Sequence, residues 1–272
     1  MMREKAIKWL IGISALSCLI WAGGLAWTLQ DTFSGAPAAA PPIEGTAPGT
    51  EEEAPEPIVD DGSFRLLALG DSLTKGTGDT EGKGYVGYLL EDLKEKSGQD
   101  IVLGNYGVNG QVSSQLAEQL GQSRIKDEVV AADVIVVSTG GNDLFQGGQT
   151  LGNLEPAHIQ KIEDAYLLQL KSILKQLREN NADARIFLIG LYNPFGALEN
   201  AEATTKIVRD WNYKAAEVAA DYPQTVLVPT FDLFQLKVQD YLARDLFHPN
   251  AAGYRLIGDR VASLITWQGV KG

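Results

Sequence analysis

The chain has 272 residues, of which 44% are hydrophobic, 21% charged and 8% aromatic, a balance that suits one sizeable globular domain plus extra segments and excludes a wholly disordered chain. Lys and Arg number 23 against 35 Asp and Glu, a net charge of -12, which excludes nucleic acid as a first-choice partner because phosphate backbones are gripped through positive charge. The single cysteine, Cys18, excludes an internal disulfide, and with only two histidines, His158 and His248, no Cys/His cluster can hold zinc.

From Trp9 to Leu29 the chain carries no charge over 21 residues, enough helix at ~1.5 Å per residue to cross the ~30 Å hydrocarbon core of a bilayer. Residues 1–30 are therefore expected to form one N-terminal transmembrane helix. Arg3, Lys5 and Lys8 precede it and Asp31 follows, so the positive-inside rule places the N-terminus in the cytoplasm and the rest on the extracytoplasmic side. The apolar run outlasts the ~7–15-residue core of a signal peptide, which favours an uncleaved signal-anchor. Gly24-Leu25-Ala26 offers a cleavage site for a secreted form, and Cys18 a lipidation site whose preceding leucine stands one place late. All three readings imply export. Residues 31–61 are rich in Pro, Ala and acidic residues and cannot bury enough apolar surface to offset ordering entropy. They are expected to form a flexible linker that holds the domain, residues 62–272, off the membrane.

Within that domain, short runs rich in Val, Ile and Leu predict strands at Phe64–Leu69, Ile101–Tyr106, Val134–Ser138, Ile186–Leu191 and Val226–Val228. Helices are predicted near 84–97, 112–121, 156–180, 203–221 and 251–266. Tyr166, Leu170, Ile173, Leu174 and Leu177 form one apolar stripe in the third, and Tyr254, Ile257, Val261, Leu264 and Ile265 another in the last. Alternating strands and helices imply right-handed crossovers and a three-layer α/β/α sandwich around a five-stranded parallel sheet.

Ligands of such sheets bind beyond the carboxyl ends of the strands. There the sequence places Gly70-Asp71-Ser72-Leu73, Gly107-Val108-Asn109-Gly110 and Gly140-Gly141-Asn142-Asp143, while Asp245-Leu246-Phe247-His248-Pro249 precedes the last helix. This set suits acyl transfer. Ser72 would attack a carbonyl carbon once a base removes its proton. His248 is the candidate base, and Asp245 would accept its Nδ1–H and fix the tautomer that leaves Nε2 free. The Ser72 and Gly110 N–H groups and the Asn142 amide are candidate oxyanion donors. Each motif alone has a plain reading as a capped turn; their convergence on one rim carries the assignment. His158, on a polar helical turn, is read as a surface residue.

With these motifs the chain from about 64 to 268 resembles the SGNH hydrolases, also called GDSL lipases and acylhydrolases. GDSLTKG resembles the first block with Ser72 as nucleophile, NYGVNGQVSS the second with Gly110, GGND the third with Asn142, and DLFHPN the last with His248 and its partner Asp245. The resemblance implies a flavodoxin-like fold and hydrolysis of esters or thioesters with no metal and no cofactor. GDSLTKGTGD, NYGVNGQ and GLYNPFG are most similar to the exported, YpmR-like bacterial branch. The second glycine of the α/β-hydrolase elbow G-x-S-x-G is missing, so the lid arrangement of that fold is not expected.

Other readings compete. Gly78 to Gly84 is glycine-rich but has the wrong spacing for a phosphate loop. A pseudoenzyme could use the same rim to hold a glycan or lipid. Asp71 and Asp143 are read as loop organisers, Asp71 at a helix start and Asp143 bracing Asn142. The expected substrate is a small-molecule or lipid carboxylic ester, with O-acetylated cell-wall polysaccharide as the alternative. Phe195, Phe231, Phe234 and Tyr241 either line an acyl site or pack the loops.

Overall fold

The structure is a computed structural model, and it describes residues 62–266. The expected transmembrane segment and linker lie outside the described residues; among those described, no helix is long and apolar enough to cross a membrane.

Five parallel strands form one sheet in the order β2-β1-β3-β4-β5, with β1 at Phe64–Gly70, β2 at Ile101–Gly107, β3 at Val134–Ser138, β4 at Arg185–Ile189 and β5 at Thr225–Val228. This is the flavodoxin-like strand order of a doubly wound sheet. Strand β3 is buried at every residue, as expected of a central parallel strand covered on both faces.

Side-chain alternation divides the interior into two cores. Leu67, Leu69, Ile135, Val137, Ile186 and Leu188 face one layer. It contains α3 (Ser113–Gln119), α4 (Ser123–Ala131), α6 (Pro156–Asn180) and α7 (Ala201–Ala220). Leu66, Ala68, Val134, Val136, Phe187 and Ile189 face the other. Its main helices are α2 (Gly84–Ser97) and α10 (Ala251–Leu264). The α6 stripe is buried as its spacing predicts, with Leu170, Ile173, Leu174 and Leu177 fully covered. Of the α10 stripe, Tyr254, Ile257 and Val261 are covered while Leu264 is exposed.

Several short helices complete the rim: α1 (Ser72–Lys75), α5 (Gly141–Phe145), α8 (Phe231–Gln235) and α9 (Val238–Tyr241), with a 3-10 segment at Gln146–Gly152. These short helices are absent from the predicted set, and the structure also corrects the prediction at β4 and α4. Strand β4 ends at Ile189 rather than Leu191, because the Asn212 side chain takes over as partner: it accepts from Leu191 N–H at 2.8 Å and donates to Leu191 O at 2.7 Å. Helix α4 is additional to the predicted set; only Ile125 and Val129 of it are buried, a single i,i+4 pair and no sustained stripe.

Candidate active site

The predicted site residues converge at the carboxyl ends of β1, β2 and β3. Strand β1 ends on Gly70, whose φ of +131° and neighbour distances admit no side chain: a Cβ there would stand 2.0 Å from Ser138 O. The chain then turns into α1, where the Asp71 carboxylate caps the helix by accepting the Leu73 N–H. Asp71 is thus a helix-start residue, as the sequence implies. Its carboxyl is buried, and burial pushes it up from the ordinary value, against the bonds from Ser138 Oγ at 2.6 Å and Leu73 N–H at 3.0 Å.

Ser72 is the first residue of α1. Its Oγ lies 2.8 Å from His248 Nε2, and His248 Nδ1 lies 2.6 Å from Asp245 Oδ2. The Asp245 Oδ1 atom also accepts the N–H groups of Phe247 and His248, each at 3.0 Å, so one carboxylate both folds the loop and orients the imidazole. Partial burial opposes the Asp245 charge, but the hydrogen bonds from the His248 ring and these two N–H groups outweigh it and hold the carboxyl below the usual range. An ionised partner on Nδ1 requires that nitrogen to carry the proton, leaving Nε2 to accept from Ser72. Just past the loop, Asn250 caps α10 by accepting the Gly253 N–H at 3.0 Å and donates to Asp240 O and Leu242 O at 2.9 and 3.1 Å.

Of the candidate donors, Asn142 lines the same pocket as Ser72, and Gly110 follows the carboxyl end of β2. Gly110 has φ of +74°, and among the described residues no backbone carbonyl accepts from the Ser72 or Gly110 N–H. Asn142 Nδ2 donates to Gln111 O at 3.0 Å, which fixes the amide and leaves its second proton free. Asp143 corrects one expectation. Instead of bracing Asn142, it accepts from Ser113 N–H at 3.0 Å and Ser113 Oγ at 2.5 Å, tying α5 to the start of α3. Burial pushes its carboxyl up, against these Ser113 bonds.

A pocket beside Ser72 is lined by Leu73, Asn142, Phe145, Leu191, Pro194 and Phe247, among others. Phe145 lies in the segment 144–147, which the sequence offers as pocket wall, whereas Phe247 escapes the sequence reading, and its position next to His248 is the available signal. Of the four aromatic candidates, only Phe195 lines a cavity at the site. Phe234 is fully buried and stacks on Tyr192 at 4.3 Å, Tyr241 meets its edge at 5.9 Å, and Phe231 packs under Arg209 at 5.3 Å. His158 is half-buried rather than on the open surface, lining a groove with Asn142 and Lys161. The segment from Gly78 to Gly84 folds onto Asp79, which accepts the N–H groups of Glu81, Lys83 and Gly84 at 2.8, 3.1 and 2.8 Å, so its amides turn inward. Among the described residues no cluster of three or more His, Cys, Asp or Glu is placed to hold a metal ion.

The chain shares this architecture with known proteins. It is 32% identical to the uncharacterized protein YpmR of Bacillus subtilis, over 84% of this chain and 89% of that one. It is 26% identical to the spore germination lipase LipC of Bacillus licheniformis, over 73% and 95%. The crystal structure of the lipase Lip_vut3 from a goat rumen metagenome superposes with a TM-score of 0.68 at 25% identity, covering 74% of this chain and 97% of that one. A catalytic mutant of Axe2, an acetylxylan esterase from Geobacillus stearothermophilus, shares the fold with a TM-score of 0.57 at 20% identity, over 75% and 95%. The profile of the GDSL-like lipase/acylhydrolase family matches residues 68–256, and with its YpmR-like sequence the chain belongs to that family of carboxylic ester hydrolases.

Proposed function

We propose that this protein is an exported, membrane-tethered serine hydrolase that cleaves carboxylic esters with Ser72 as nucleophile, His248 as general base and Asp245 as its orienting acid. The observation that carries the reading is the continuous relay from Asp245 Oδ2 through the imidazole to Ser72 Oγ, with contacts of 2.6 and 2.8 Å. A binding module has no use for an imidazole aimed at a serine hydroxyl.

In the first half-reaction the Ser72 Oγ attacks the ester carbonyl carbon while its proton passes to His248 Nε2. The carbonyl oxygen becomes an oxyanion, which the Ser72 N–H, Gly110 N–H and second Asn142 amide proton would stabilise. Collapse breaks the bond to the alcohol, which leaves with the proton from His248, and Ser72 remains acylated. Water then repeats the sequence: His248 takes its proton, the hydroxide adds to the acyl carbon, and the carboxylic acid departs as Ser72 regains a proton. Asp245 stays ionised throughout and steadies the imidazolium.

Export and tethering rest on the uncharged stretch from Trp9 to Leu29 and the basic residues before it. A fluorophosphonate probe tests both parts of the proposal. In intact cells carrying the full chain, a membrane-impermeant probe is expected to label Ser72, with the adduct found by mass spectrometry and the protein in the membrane fraction. Absence of an adduct on folded protein would refute the nucleophile. Labelling only after lysis would refute export, and a soluble labelled protein would refute the tether.

A further inference from the structure

The apolar space beside Ser72 is divided in two. The inner pocket, lined by Ser72, Asn142, Phe145, Leu191, Pro194 and Phe247, has a cavity volume of about 20 Å³. A single water needs ~10–15 Å³ of such space, so the pocket takes a methyl-sized group and little more. The outer trough, lined by residues including Gly148, Phe195, Leu198, Leu242, Leu246 and Phe247, has a volume of about 290 Å³. Only Pro194 and Phe247 border both.

Phe247 supplies the aromatic part of that border. Its ring meets Phe145 edge-on at 5.9 Å, tilts against Phe195 at 6.1 Å and stands 5.1 Å from the His248 imidazole. Its backbone is held from two sides: the N–H donates to Asp245 Oδ1 at 3.0 Å, and the carbonyl accepts from Tyr192 Oη at 2.6 Å. These bonds belong to the loop that orients His248. The side chain can therefore be shortened with the loop geometry left in place.

We propose that Phe247 is a specificity-determining residue that closes the acyl site and limits the enzyme to short acyl groups, acetyl foremost. This rests on the ester-hydrolase reading with Ser72 as nucleophile. An acyl carbon bonded to Ser72 Oγ, with its oxygen among the Gly110 and Asn142 donors, leaves its alkyl group to the inner pocket. A methyl fits there. Each further methylene presses on the Phe247 ring, and so loses the roughly fourfold gain that burying a methylene against an apolar wall brings. Shortening Phe247 joins pocket to trough and restores that gain.

The test uses the purified full chain in detergent, with kcat/KM measured on p-nitrophenyl acetate, butyrate and octanoate for wild type, Phe247→Ala, Phe247→Leu and Ser72→Ala. Wild type is expected to favour acetate over octanoate by at least about tenfold. Phe247→Ala is expected to raise the octanoate-to-acetate ratio by about tenfold or more, with Phe247→Leu, which keeps an apolar contact on Phe145 and guards against loss of folding, between the two. A wild type equally active on octanoate, or a ratio unchanged in both folded variants, would overturn the partition. Folded wild type with no serine-dependent turnover on any of these esters would instead overturn the functional reading, and the partition with it.

Discussion

Replacing Asn142 by alanine isolates one part of the proposed machinery while leaving the Ser72–His248–Asp245 relay intact. One Nδ2 proton of Asn142 is committed to Gln111 O at 3.0 Å, so the amide is already oriented and its other proton is free to meet the substrate oxygen. Removing one preorganised donor of this kind costs ~3–4 kcal/mol of transition-state stabilisation, or about 10²–10³ in kcat. The true loss should sit toward the upper end. Gln111 follows Gly110 directly, and freeing its carbonyl loosens the backbone that aims a second donor. The folding cost is smaller: one neutral hydrogen bond at a half-buried position is worth about 0.5–1.5 kcal/mol. Steady-state kinetics on p-nitrophenyl acetate, paired with thermal unfolding, separates the two effects. The expected variant melts within a few degrees of wild type with kcat reduced ~10²–10³ and KM little changed, as befits an interaction made mainly in the transition state. A folded Asn142→Ala enzyme with kcat within about threefold of wild type would refute the donor role.

Other consequences can be measured with the same preparations. Ser72→Ala and His248→Ala are each expected to remove most activity while melting close to wild type, and retained turnover in both would sink the assignment. Asp245→Asn puts an amide where the Nδ1–H needs an acceptor that fixes its tautomer, and a loss of kcat on the order of 10⁴ is expected; a loss below tenfold would contradict the orienting role. Because the folded Asp245 carboxyl is held below its ordinary value, its stabilisation is present above the unfolded value of ~3.9 and is lost as pH falls through the folded one. Below about pH 5 the difference in melting temperature between wild type and Asp245→Asn should therefore shrink on further acidification, and it should be small, since the Asp245 side chain is 45% exposed. A difference that grows on acidification would reverse the sign. Trp211→Ala deletes a fully buried indole stacked on Tyr166 at 4.4 Å, at a cost of ~3–5 kcal/mol; thermal unfolding should shift down by ~10 °C, and a shift under two degrees would show that the site collapses to fill the space.

Much of this architecture is written locally. Strands buried on both faces read as unbroken Val, Ile and Leu runs, so β3 emerges with the bounds its residues predict. The long stripes of α6 and α10 are equally plain. Legibility fails where a side chain from elsewhere replaces a backbone partner: the apolar run through Leu191 reads as strand, and only the three-dimensional approach of Asn212 ends it at Ile189. Short helices such as α8 and α9 carry too few turns for a periodic signal. The site divides the same way. Ser72, Gly110, Asn142, Asp245 and His248 stand in compact motifs, and the fold brings them to one rim. The roles of Ser113 and Phe247 depend on residues 30 and more than 50 positions away, and no local pattern announces such contacts. Asp143 shows the cost of reading locally, since its adjacency to Asn142 pointed to the wrong neighbour.

The central claim is that Ser72, activated by His248, cleaves esters, and the most direct measurement is the rate of p-nitrophenyl acetate hydrolysis by wild type and by Ser72→Ala prepared side by side. Saturable turnover is expected in the wild type and only a background rate in the variant. Equal rates in the two folded proteins would contradict it.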